Sequence, residues 1–368
     1  MSTPVVQQKI AAAEKVARAL SERMGDGIDS AYIAGSITAG LGNATSDADV
    51  FVLYAADHLP AATTQQFTLD GHRVDVEWYS RDELDDALRT ILDWQLRPDN
   101  ISELWGFADR LDLLARFATS QPVLSSEHLG RAYAALEAGW PRLRQALINY
   151  WAIAVNSDLE DFHGACAEGD LGTATYVGQV LLTSATKAVT TAADDRYFGR
   201  KWVYKQVNRS LSAGYPTERF GYFQRGDWAR EGVAGANDLL EFVQTSVTAS
   251  QLMAGEGVSP AMWPTWQFGD EGLFRDVSYN VLHAGDRVLL HKELHRQVTL
   301  KREVAFVWGL CQGVAPDTVV KRIEALSEVV PTLRTMTEQR TLSVIDALIK
   351  SGLLHEERSA AFGAPEND

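Results

Sequence analysis

Acids placed on one face of a strand constrain this chain more than any other feature in it. In the stretch AYIAGSITAGLGNATSDADVFVLY, Ala31 to Tyr54, a short apolar run ends in Gly35-Ser36. Ten residues then intervene before Asp47-Ala48-Asp49 and a second β-rich run, Val50 to Tyr54. Residues two apart on a strand point to the same side, so Asp47 and Asp49 set two like charges together. Like charges on one face repel unless a cation lies between them. Carboxylates without nearby His or Cys suit a hard ion such as Mg²⁺, which keeps several waters and shares its other positions with substrate phosphates. Gly35 has no side chain, so backbone N–H groups of the following turn can approach a phosphate beside the Ser36 hydroxyl. The plainer alternative is a Gly-rich turn between two strands with a pair of surface acids.

A metal of this kind calls for a third acid on a neighbouring strand. His72 to Tyr79, HRVDVEWY, offers one: Val74, Val76 and Trp78 share one side, Asp75 and Glu77 the other. Asp75 is the expected third ligand because two valines flank it, as on a buried central strand. It could also accept the proton of an attacking group, with Glu77 as the alternative.

Gly-Ser, then Asp-x-Asp, then an apolar-acid-apolar strand resembles the nucleotidyltransferase superfamily typified by DNA polymerase β and the aminoglycoside nucleotidyltransferases. The match covers about the first third of the chain. The resemblance implies that Asp47 and Asp49 hold Mg²⁺ and that Asp75 completes the site. Gly35, Ser36 and Ser46 would lie at a nucleoside triphosphate whose monophosphate is transferred. Many small bacterial members carry an Arg shortly after the Gly-Ser; here the residues are Ile37-Thr38-Ala39-Gly40, so the triphosphate needs another cation.

The chain's 368 residues are enough for two or three domains with proper cores, and 46% hydrophobic with 23% charged residues is ordinary globular composition. The formal charge of −15 argues against a general polyanion binder and makes nucleic acid an unexpected partner. Cys166 and Cys311 lie far apart without paired spacing, so neither a disulfide framework nor a zinc site is indicated. His163 and Cys166 form an isolated H-x-x-C and read as packing. No long apolar span exists and the start lacks signal-peptide order, so the expected location is cytoplasmic, with no membrane partner.

Val5 to Met24 reads as an amphipathic helix behind the sheet, and Ser80-Arg81-Asp82-Glu83 as a capping box opening a helix to about Leu92. Asn100 to Ser120 is helical and apolar on one side. From Leu129 to about Thr191 long 3.6-period segments without strand signals predict a helical bundle, with a junction at Glu168-Gly169-Asp170. Arg196 to Trp202, RYFGRKW, then resembles the Tyr-(x)n-Lys-Trp segment in the helical domains of several bacterial nucleotidyltransferases. That resemblance implies that Lys201 faces the triphosphate, partly replacing the missing Arg, and that Trp202 anchors the segment. The competing reading makes Arg200, Lys201 and Lys205 a solvated helix cap.

Thr248 to Gly272, rich in Gly, Ser and Pro, reads as a linker. Beyond it three short strands are expected at Phe274 to Leu282, Asp286 to His291 and Arg296 to Leu300. Three helices should follow, Arg302 to Cys311, Asp317 to Val329 and Met336 to Lys350. This order, with Gly285-Asp286-Arg287-Val288-Leu289-Leu290, Val298-Thr299-Leu300, Val307-Trp308 and Ser351-Gly352-Leu353-Leu354, resembles the PqqD-like domains that recognise leader peptides of ribosomally made, modified peptides. The resemblance implies strand augmentation along Arg296 to Lys301 and a groove beside the last helix. Val298, Leu300, Leu342, Ile345 and Ile349 would then touch a leader or precursor peptide. A winged-helix nucleic-acid module would need a denser basic patch than the ten basic against eight acidic residues from 286 to 355. A purely structural dimerisation wing is the third option.

The expected architecture is therefore α+β: a nucleotidyltransferase α/β domain over 1–120, a helical bundle over 121–255 and a winged-helix-like domain over 270–358. The expected activity is Mg²⁺-dependent nucleotidyl transfer in a modified-peptide pathway. A small-molecule, antibiotic-type transferase and an inactive nucleic-acid-binding or scaffold protein are the alternatives.

Overall fold

The computed structural model describes residues 4–55, 62–211, 214–292 and 296–358. The chain is α+β and divides into two compact units. The first comprises residues 1–94, 104–146 and 196–205; the second comprises 95–103, 147–195 and 206–368.

In the first unit, helix α1 (Pro4–Met24) places Val6, Ala13, Val16, Ala17 and Leu20 on one buried face. It ends at Gly25, whose positive φ of 58° suits glycine. Strands β1 (Ile28–Ala34), β2 (Ala48–Tyr54), β3 (Thr64–Leu69) and β4 (His72–Ser80) follow. Next come α2 (Arg81–Asp93), α3 (Ala108–Ala118) and β5 (Gln121–Leu124). The five strands form one sheet in the order β3-β4-β2-β1-β5, with β2 and β4 parallel and the other pairs antiparallel. The expected two-residue period holds. Val50, Val52, Val74, Val76 and Trp78 join the α1 face in a single apolar core. On the opposite side Tyr32 stacks on Phe51 at 5.2 Å and meets Phe117 of α3. The capping box is formed on both sides: the Ser80 hydroxyl accepts from Glu83 N–H, and the Glu83 carboxylate accepts from Ser80 N–H.

The chain continues through α4 (Glu127–Glu168), α5 (Leu171–Ala192), α6 (Val203–Ser210), α7 (Thr217–Gln224) and α8 (Val233–Gly255). In the second unit α5 packs on α8, and a Cβ at Gly178 would sit 2.8 Å from Leu239, so the glycine sets how closely the two helices approach. Then follow β6 (Leu273–Arg275), β7 (Asn280–Ala284), β8 (Arg287–Lys292) and β9 (Arg296–Lys301). The chain closes with α9 (Arg302–Leu310), β10 (Gln312–Val314), α10 (Pro316–Ser327), α11 (Glu338–Lys350) and β11 (Leu354–His355). Two small antiparallel sheets result, β10-β6-β11 and β7-β8-β9.

Two expectations for this region need correction. The stretch from Thr248 does not begin a linker, because α8 runs on to Gly255 and is buried as far as Ala254. Its small polar residues are satisfied inside the helix: Ser246, Thr248 and Ser250 each donate to the carbonyl four residues back, at 2.9, 2.7 and 2.6 Å. Phe274 to Leu282 is not one strand either. The Asp276 carboxylate accepts from Ser278 N–H at 2.8 Å, and this turn sends β6 and β7 into different sheets.

Candidate active site

The acids that the sequence singles out meet across the β2–β4 pair. In register, Asp49 lies opposite Asp75 and Phe51 opposite Glu77, while Asp47 immediately precedes β2. Gly35, directly after β1, has a φ of 88°, and a Cβ there would fall 2.1 Å from Asp49 Oδ2. The glycine is therefore required twice, by the turn and by the close approach of the carboxylate.

From Gly35 the chain makes tight turns: Leu41 and Gly42 N–H both donate to Ser36 C=O, at 2.9 and 2.7 Å. Two lysines then clamp the far side of this loop. Lys9 of α1, itself buried, donates to Ser46 C=O at 2.5 Å, and Lys205 donates to Leu41 C=O at 2.8 Å. The buried Ser46 hydroxyl binds Asn43, which closes the turn leading into Asp47. Sequence reading missed Lys9 and named Lys205 only as part of a solvated helix cap, since nothing local marks a cation whose partner is a distant carbonyl.

A cavity of about 180 Å³ opens here, lined by Gly35, Ser36, Ser46, Asp47 and Asp49 on the sheet side. Asp112 and Arg116 of α3, together with Tyr197, Lys201 and Trp202, line the rest. All of these residues belong to the first unit. The volume lies below the roughly 300–1,000 Å³ that encloses a drug-sized ligand, so it has room for ions and phosphate groups rather than a whole nucleotide. Lys201 Nζ lies 5.1 Å and Lys205 Nζ 4.2 Å from the Trp202 ring centroid, a cation–π arrangement within this segment.

Electrostatics concentrate on Asp49. Burial, followed by the charges of Glu77, Asp75 and Asp47, raises its pKa from the ordinary 3.8 to about 7, although Arg116 pulls the other way. Arg116 was not foreseen. It donates to Asp112 at 2.7 Å and lies 5.8 Å from the Phe51 ring centroid. Burial works against its charge, but Asp112, Asp49 and Glu77 outweigh that and hold its pKa above the usual value.

Asp75 is arranged differently from the other two acids. It does not line the cavity; its Oδ1 accepts from Gln66 at 2.8 Å, and its Oδ2 lies 3.4 Å from the Arg73 guanidinium. The same guanidinium nitrogen donates to Asp47 Oδ2. Glu77, the alternative third acid, accepts from the Tyr79 hydroxyl at 3.2 Å. Among the described residues no three His, Cys, Asp or Glu side chains are gathered so as to hold a metal. The donor chemistry nevertheless fits a hard cation. Asp47 and Asp49 face the cavity with oxygen ligands only, and Asp49 sits among carboxylates with more negative than positive charge around it.

In the second unit, β9 pairs with β8 alone, so its other edge carries no strand among the described residues. Of the residues expected to meet a peptide, Leu300 and Ile345 are buried, Val298 and Leu342 are half-buried, and Ile349 is 37% exposed. Ile345 thus belongs to the interior beneath α11 rather than to a groove wall.

No protein-family model matches the chain, and no curated protein matches it. Among solved structures it is similar to a nucleotidyltransferase-like protein from Exiguobacterium sibiricum, with a TM-score of 0.29 and 11% identity over 63% of this chain and 79% of that one.

Proposed function

We propose that the first unit transfers a nucleoside monophosphate from a nucleoside triphosphate to an acceptor, with Mg²⁺ as the required ion. The observation that carries this reading is the convergence of Gly35, Ser36, Asp47, Asp49 and Lys201 on one cavity, with Asp75 opposite Asp49 in the adjoining strand. Mg²⁺, when bound, neutralises phosphate charge and polarises the phosphoryl oxygens. Asp47 and Asp49 would supply its protein ligands, and Asp75 would join them. The Gly35-Ser36 turn, its shape kept by Lys9 and Lys205, presents N–H groups and a hydroxyl to phosphate oxygens. Lys201 replaces the cation missing after the Gly-Ser. The acceptor oxygen bonds to the α-phosphorus as the bond to the bridging oxygen breaks; pyrophosphate leaves, and Asp75 takes the acceptor proton.

The test is transfer of label from an α-³²P-labelled nucleoside triphosphate to an acceptor, or, when the acceptor is unidentified, release of the unlabelled pyrophosphate followed by a coupled assay. Lys201→Ala should lower turnover about 10²-fold, the range seen when one transition-state charge stabiliser is lost. Activity within a few-fold of wild type would return Lys201 to the role of a helix cap.

Recruitment of a leader peptide by the second unit is the finer part of the proposal. It is supported by the three-stranded sheet β7-β8-β9 followed by helices α9, α10 and α11, with β10 between the first two helices, and by the open edge of β9. A peptide paired along β9 would gain main-chain hydrogen bonds, with apolar side chains set against Val298, Leu342 and Ile349. On this reading the modified substrate belongs to a ribosomally made peptide pathway.

A further inference from the structure

Arg73 has no part in the reading above, yet it occupies the centre of the acidic face. It lies on β4 opposite Thr68 of β3, two residues before Asp75 and on the same side of the strand. Its guanidinium reaches Asp47, on the loop ahead of β2, and Asp75 on its own strand. A guanidinium suits this task because its forked donors can serve two carboxylates at once; a lysine would act as a point charge.

We propose that Arg73 is a displaceable internal counter-ion that makes cation entry depend on the arrival of a polyphosphate. This rests on reading Asp47, Asp49 and Asp75 as the cation site. The four acids Asp47, Asp49, Asp75 and Glu77 face two arginines, and only one of those arginines is free to leave. Arg116 is tied to Asp112 and packed by Phe51, whereas the Arg73 side chain is 48% exposed on a long flexible stem. Exposed ion pairs contribute little and break readily. While Arg73 is in place it offsets one of the two negative charges of Asp47 and Asp75 and engages the Oδ2 of each. A cation arriving alone must push the guanidinium into water with nothing to receive it. A cation arriving with a triphosphate brings phosphate oxygens, which accept bidentate bonds from a guanidinium better than almost any other group. Cation and nucleotide should therefore bind cooperatively, each raising the affinity for the other by the same factor, as linkage requires.

The experiment uses Mn²⁺ as the probe ion on the full chain. Free Mn²⁺ is followed by electron paramagnetic resonance during titration, with and without saturating ATP, and the Mn²⁺ held by ATP in matched protein-free titrations is subtracted so that only protein-bound ion is compared. The proteins are wild type, Arg73→Gln, Arg73→Lys and Asp47→Asn. In wild type, ATP should tighten Mn²⁺ binding by about 5- to 150-fold, the ordinary range of coupling between two ligands. Arg73→Gln should bind Mn²⁺ alone more tightly than wild type and lose most of that coupling, with Arg73→Lys between them. A purely structural Arg73 would leave the coupling ratio unchanged. Mn²⁺ binding that Asp47→Asn weakens but Arg73→Gln leaves within twofold of wild type would overturn the counter-ion role alone. No Mn²⁺ binding by wild type or Arg73→Gln, with or without ATP, would remove the cation site itself.

Discussion

Asp49 carries opposing demands on stability and binding. A carboxyl whose pKa is about 7 in the folded chain and 3.8 in the ordinary state binds more proton when folded throughout the interval between those values. The contribution of Asp49 to stability therefore falls as pH rises from about 4 to about 7, because the folded form must give up a proton that the unfolded form has already lost. Asp49→Asn removes that penalty. Its melting temperature should match wild type below pH 4, exceed it increasingly towards pH 7, and keep a constant lead above that; thermal denaturation across a pH series reads this directly. The same carboxyl must ionise to hold a cation, so Mg²⁺-dependent nucleotide binding should weaken below pH 7 and release a proton. Gly35 belongs to the same argument. Gly35→Ala would combine a left-handed backbone with a Cβ 2.1 Å from Asp49 Oδ2, and should cost about 1–3 kcal/mol of strain besides displacing the carboxylate. Chemical denaturation checks the first effect and nucleotide titration the second.

At the scale of elements, local signals were legible and distant ones were not. The alternation of valines and acids placed β4 and its two faces correctly, and Ser80 with Glu83 marked the start of α2, because both patterns report short-range geometry. The end of α8 was misread because its threonines and serines look like loop chemistry, yet they bond within the helix. Two of these threonines also serve a residue far along the chain: Arg275, fully buried, donates to Thr245 and Thr248 at 3.1 and 3.0 Å. It has rings of Phe268 and Trp308 on either hand at 5.3 and 5.0 Å, and burial lowers its pKa to about 10. No sequence period announces such a pairing. Arg73 was within reach, since an Arg two residues from Asp75 on one strand must share its face. For the peptide reading, burial decides which variants are informative. Ile345→Asp would disrupt the interior, whereas Leu342→Asp alters a half-buried position and Ile349→Asp an exposed one. Both should abolish binding of a fluorescein-labelled leader peptide in anisotropy while leaving the melting temperature close to wild type. Salt-sensitive binding of duplex DNA without peptide binding would instead favour a winged-helix role.

For the whole molecule, the formal charge of −15 sets a boundary on partners. No helix among the described residues is long and apolar enough to cross a membrane. An anionic chain that binds a triphosphate must do so through local cations, and the first unit supplies Lys201, Arg116 and Arg73 around one acidic face. Those cations come from α3, from β4 and from the segment around residue 201, so the cavity exists only when the unit is folded. This is why the sequence showed the acids, which share two strands, more clearly than the cations that balance them. The most direct test is calorimetric titration of a nucleoside triphosphate into wild type, Asp47→Asn and Asp49→Asn, with and without Mg²⁺. Binding that requires Mg²⁺ in wild type and is lost or strongly weakened in both variants is the predicted result; metal-dependent binding that persists unchanged in both, or no binding by wild type with Mg²⁺ present, would contradict it.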